Sequence, residues 1–191
     1  MAQSGEDEVD YGAEQRRPEQ HLAPLQDDPG WRQWLSDQEI GLAHFFTNVV
    51  PDMPEQPYSR EGLEHAEVAA LRIFPDAASA NPDRTPENNV TIDPFQRFIG
   101  EVFLRCFEGR WIHADAVAGY GPEPSVELPF SDVPIVVRPL LISIAERRRG
   151  GELTWVFDRQ LEIHQQWVGH DRPAFPVWAR IEQRLIDDGV L

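Results

Sequence analysis

The side chains best able to do chemistry in this chain are its histidines, one cysteine and a surplus of carboxylates, 33 acidic residues against 17 basic. His21, His44, His65, His113, His164 and His170 fall into no H-E-x-x-H, H-x-x-E-H or His-x-Asp-x-His arrangement. No local pattern therefore presents paired imidazoles to a transition metal. His164 and His170 are separated by six positions, which does not place two imidazoles on one helix face. Cys106 is the sole cysteine, so neither an intramolecular disulfide nor a cysteine-based zinc site can form. It lies on an apolar stripe, where a thiol is a small core residue rather than a nucleophile. No G-x-S-x-G is present, and "GYGPEP" carries acids where a phosphate cradle needs lysine and free N–H groups. No cofactor is expected from these residues. His113 and Asp115 stand two apart and could act as a base and its orienter, although a solvated pair on a strand face accounts for the same spacing. Arg97, Glu101 and Arg105 recur every fourth residue, so Glu101 could bridge both arginines along one polar ridge.

These residues depend on one stretch, "TIDPFQRFIGEVFLRCFEGRWIHA", residues 91–114. Asp93 is placed to cap a helix, Pro94 to open it and Gly109 to end it. Phe95, Phe98, Ile99, Val102, Phe103, Cys106 and Phe107 follow the helical period and make a stripe wide enough for a central, largely buried helix. Gly100 costs about 1 kcal/mol against alanine in a helix interior, which implies close approach of a neighbouring element. Arg97, Glu101, Arg105 and Trp111 then form a structural hub, tying this helix to the strand that follows.

Other elements are set by the same signals. Asp28 and Pro29 open a first helix with Trp31, Trp34, Leu35, Leu42, Phe45 and Phe46 on its apolar face, stopped by Pro51. Ser59 caps a second, in which Leu63, Ala66, Ala70, Leu71 and Phe74 recur until Pro75. "PDAASANPDRTPENN" reads as a loop. "RWIHA" alternates as a strand, and "SVELPF" pairs with it as a second, Val126, Leu128 and Phe130 on one face. "VPIVV" suits a short buried strand. "RPLLISIAERRRGG" suits a helix with Leu140, Ile144 and Ala145 inward and three arginines at its negative end. "ELTWVF" fits either a strand or the start of a helix reaching Trp167. The final "AFPVWARIEQRLIDDGVL" is amphipathic, with Val177, Trp178, Ile181 and Leu185 on one face. The fold class is α+β: a helix-rich domain over 29–191, helices packed around a small antiparallel sheet, preceded by an acidic disordered tail over 1–28.

The net charge is −16. Residues 1–28 hold eight acids and two arginines, a net of −6, so −10 belongs to the rest of the chain. Such a field repels phosphate backbones and anionic lipid, which argues against a nucleic-acid or membrane partner. The start "MAQSGEDEVD" is acidic where a secretory signal is basic and then apolar. The longest apolar run, "VPIVVRPLLISIA", is interrupted by Arg138 and Pro139. A soluble protein of the cytoplasm is expected.

Residues 95–112, with "RFIGEVFLRCFEGRWI" at their centre, resemble a pattern in small, mostly uncharacterised bacterial cytoplasmic proteins. There a helix carrying Gly-Glu and a downstream Arg runs through a glycine-containing turn into a Trp strand. "PIVVRPLLISIAERRRGG" fits the same pattern loosely. Where that pattern has Gly-Gly before the strand, this chain has Glu108-Gly109-Arg110. Some of those proteins look like immunity partners of polymorphic toxins. The resemblance implies an immunity-type protein that inhibits a toxin by covering its active site. The negative charge suits such a binding role, and the surface acids of the 59–93 and 115–132 regions, with Asp115, Glu123, Glu127 and Asp132 as candidates, are where contact is expected. An export or folding chaperone for a secreted protein, and a small carboxylate-dependent enzyme, are the alternatives.

Overall fold

Asp28 does start the first helix: its carboxylate accepts from the Trp31 N–H at 2.8 Å, with Pro29 in the first turn. The computed structural model describes residues 24–81, 86–115 and 121–191. Among them the element order is α1 (Pro29–Ser36), α2 (Gln38–His44), a π-helical turn (Phe45–Val49), α3 (Arg60–Ile73), α4 (Pro86–Cys106), β1 (Arg110–Ala114), β2 (Glu123–Glu127), β3 (Ile135–Val136), α5 (Val137–Arg147), α6 (Glu152–Gly169) and α7 (Phe175–Asp187). The fold is α+β, as the patterning implies.

The first helix is not continuous. It breaks at Asp37, where the Trp34 carbonyl accepts from Arg97 Nη1 at 2.7 Å. A side chain inserted into the carbonyl ladder is a recognised cause of such a bend. Ser59 caps α3, accepting from Gly62 N–H. α4 begins earlier than its capping signals suggest, at Pro86, and carries Pro94 in its interior. An interior proline forfeits a backbone bond, but Ile92, Phe95, Phe98 and Ile99 are all fully buried, and that burial keeps the turn on the core. Asp93 is thereby released from capping and bonds Trp34 and Arg97 instead. At the far end the left-handed residue is Glu108 (φ 56°), not Gly109. Gly109 N–H closes the turn on the Leu104 carbonyl. A Cβ on Gly109 would lie 2.9 Å from Val126 Cγ1, so its smallness admits β2.

The sheet has the order β1-β2-β3, antiparallel throughout, with Trp111 opposite Val126 and Ser125 opposite Val136. β2 starts and ends two or three residues earlier than "SVELPF", and Leu128 and Phe130 are buried beyond its end. "ELTWVF" is helical. In α5, Leu141 is buried with Ile144 and Ala145, while Leu140 is half-buried. Arg148 does not serve the end of α5: its guanidinium donates to the carbonyls of Leu71, Phe74 and Pro75 and so caps α3. In α7, Trp178 is fully buried but Val177 is exposed. Residues 1–23 of the expected tail lie outside the described residues. Its last residues are held to the sheet, because the Gln26 side-chain amide both donates to the His113 carbonyl (2.8 Å) and accepts from the His113 N–H (3.1 Å). Like a peptide group, it satisfies part of the outer edge of β1.

α3 and α6 run antiparallel and are joined at two levels. Arg60 binds Asp158 through both carboxylate oxygens at 2.7 and 2.8 Å. Glu67, buried in α3, accepts from the Glu152 and Leu153 N–H groups that open α6. Those are two of the donors a helix start leaves unsatisfied. Burial raises the Glu67 pKa above the ordinary glutamate range, partly offset by these N–H groups. The folded protein therefore holds that proton more tightly than the unfolded chain. The resulting stabilisation is complete below the ordinary glutamate pKa and is lost as pH rises through the raised value. Glu67→Gln removes this titration. The stability of the wild type relative to the variant, measured by urea unfolding, should fall with rising pH across that window and be level outside it.

Candidate functional site

The residues expected to form one ladder on α4 separate into two clusters. Arg97 is 4% exposed. Its Nε donates to Asp93 (2.7 Å), its Nη1 to the Trp34 carbonyl and to Gln38 Oε1 (3.1 Å), and its guanidinium lies 4.1 Å from the Trp34 ring centroid. Gly41 on α2 makes room for it, since a Cβ there would lie 2.2 Å from Arg97 Cδ. Arg97 is thus directed to α1 and α2, with Asp93 rather than Glu101 as its counter-charge.

Glu101 serves the opposite end. Its Oε2 accepts from Arg105 Nε at 2.8 Å and its Oε1 from Trp111 Nε1 at 3.0 Å. The neighbour that Gly100 admits is the Trp111 ring: a Cβ at Gly100 would lie 1.9 Å from Cη2. Arg105 stacks 3.8 Å from the Tyr58 ring, and burial raises the Tyr58 pKa despite the nearby guanidinium. Cys106 Sγ lies 3.7 Å from the Tyr58 carbonyl, and burial pushes this thiol up, away from thiolate chemistry. The arrangement joins α4 to β1 and to the loop before α3.

The remaining candidates are dispersed. His113 stacks on Trp31 with ring centroids 5.1 Å apart, and its Nδ1 lies 3.2 Å from the Leu25 carbonyl. Among the described residues its contacts thus run to α1 and the segment before it, while Asp115 is exposed past the end of β1. Glu123 is 2% exposed and pairs with Arg138 at 3.1 Å. Glu127 is likewise buried and accepts from Arg110 Nε. The sheet takes these two carboxylates off the surface, leaving Asp115 and Asp132 as the exposed members of the four. Among the described residues no cluster of three or more His, Cys, Asp or Glu is placed to hold a metal ion, and no helix is long and apolar enough to cross a membrane.

One surface feature was not singled out by spacing. Trp155 on α6 is 69% exposed, beside a shallow groove of about 270 Å³ whose lining includes Asp158, Arg159 and Glu162. Read as a strand, "ELTWVF" would align Trp155 with the core residues Leu153 and Phe157. As a helix it turns Trp155 to the opposite side. Only the assignment of the segment as helical exposes it.

No family model matches this chain, and neither a curated protein nor a solved structure is similar to it.

Two variants measure the clusters. Arg97→Ala should lower stability by about 1–3 kcal/mol in urea unfolding, because the Trp34 carbonyl and the half-buried Asp93 carboxylate lose their donor at a helix junction. Glu101→Gln should cost about 1 kcal/mol, since the amide still accepts from Trp111 but no longer pairs with a guanidinium. The folded fraction of Glu101→Gln should retain wild-type binding to any protein partner.

Proposed function

We propose that this chain is an acidic protein-binding protein, most concretely an immunity protein that occludes the active site of a cognate bacterial toxin in the cytoplasm. The observation that carries this reading is the disposition of charge. Arg60, Arg97, Arg105, Arg110, Arg138 and Arg172 are each bound to a carboxylate of the same chain. Glu39, Asp52, Glu55, Glu61, Asp115 and Asp132 are exposed at the surface. With a net charge of −16, the field offered to a partner is negative. Toxins that act on nucleic acids or nucleotides carry basic clefts, and an acidic protein facing one gains association rate and specificity. The mechanism is stoichiometric occlusion, with no bond made or broken.

The test is co-purification with the toxin-type domain encoded by the adjoining gene. The expected result is a one-to-one complex with the folded domain, loss of the toxin's activity at one equivalent, and an association rate that falls steeply with added salt. A complex that persists when the toxin domain is deleted and only an extended secretion segment remains would overturn the inhibitor reading. So would the absence of a complex at low ionic strength.

A further inference from the structure

The geometry points to the α3–α6 face centred on Trp155 as the docking surface, its occupant being an arginine- or lysine-bearing basic surface of a folded protein partner; this rests on the reading of the chain as an acidic binding protein. Trp155 is 69% exposed, an uncommon state for the side chain that most often anchors protein interfaces. Its setting is charged rather than apolar. The Arg60–Asp158 and Glu67–Glu152 contacts fix the antiparallel register of α3 and α6 and put Glu64 level with Trp155. Glu64 lies 3.7 Å from Arg60, and Arg159 pairs with Glu162 at 2.9 Å. Three carboxylates, Glu64, Asp158 and Glu162, thus share two guanidiniums on this face, and Asp158, Arg159 and Glu162 line the groove beside Trp155.

That combination selects a cation. An incoming guanidinium or ammonium can lie over the Trp155 ring and join carboxylates that are in excess locally. An incoming carboxylate meets net negative charge. The ion pairs on either side also hold the helix surface in place before binding, so little ordering is required when the partner arrives.

The probe is an N-acetylated, amidated tetra-arginine peptide, titrated at low ionic strength into the full ¹⁵N-labelled chain. The Trp155 indole N–H and the amides of Glu64, Asp158 and Glu162 should shift first. Trp155→Ala should weaken the peptide by roughly two- to tenfold, and the Glu64→Gln/Glu162→Gln double variant should weaken it further, both with wild-type melting temperatures because these side chains lie outside the core. Equal peptide affinity in Trp155→Ala, or first shifts on another acidic face, would overturn the assignment. A toxin-domain complex that forms equally well with the wild type and Trp155→Ala would overturn this face while leaving the inhibitor reading standing. A peptide that binds at Trp155 while no toxin-domain complex forms would support the face and remove the inhibitor reading.

Discussion

The Arg97 guanidinium is the contact on which the amino-terminal half of the molecule depends. It is a charge buried in a protein interior, which is tolerable only when opposite charge and acceptors surround it. Asp93, the Trp34 carbonyl, Gln38 and the Trp34 ring supply them, and they come from three elements, α1, α2 and α4. Satisfying one side chain therefore fixes the bend between α1 and α2, the approach of α2 at Gly41, and the position of both on α4. Phe45 then stacks on Phe98, 4.4 Å between centroids, in the space this arrangement defines.

The same device recurs. Glu101 joins α4 to β1 through Trp111, Glu67 caps α6 from α3, and Arg148 caps α3 from beyond the end of α5. In each case a charged side chain on one element satisfies backbone or side-chain groups of another that local structure leaves open. All basic side chains in this protein are arginines, whose planar fork can serve several acceptors at once. Engaging them internally has an external result. Several of the guanidiniums that would neutralise the surface are directed inward or into pairs, as at Arg60, Arg97, Arg105, Arg110 and Arg138, while Arg72 and Arg149 stay exposed.

Much of the fold was legible because it is written in short-range rules. The cap at Ser59, the proline at 29, the stripe from Phe95 to Phe107 and the alternation of "RWIHA" each act within a few residues, so the elements appear where local chemistry puts them. The start of α4 was not legible. The signals at Asp93 and Pro94 are genuine helix-opening residues, yet burial of Ile92 and Phe95 outweighs one lost backbone bond. The ladder Arg97–Glu101–Arg105 forms only at its Glu101–Arg105 step, for a related reason. Helical spacing shows which side chains are able to meet, whereas Arg97 had a better-satisfied position against α1, more than fifty residues away in sequence. Glu123 and Glu127 looked like surface acids because nothing local indicates that both faces of β2 are covered.

By itself the sequence determined the α+β class, the openings of α1 and α3, the negative charge and the central place of residues 91–114, since periodicity, capping and composition are local or additive. Tertiary structure alone decided which partner each charge takes, which glycines admit a neighbouring side chain, and that Trp155 faces outward rather than into the core. Those outcomes depend on distances between segments remote along the chain. They are settled by where a buried charge finds acceptors and which surfaces are left uncovered once the core has formed.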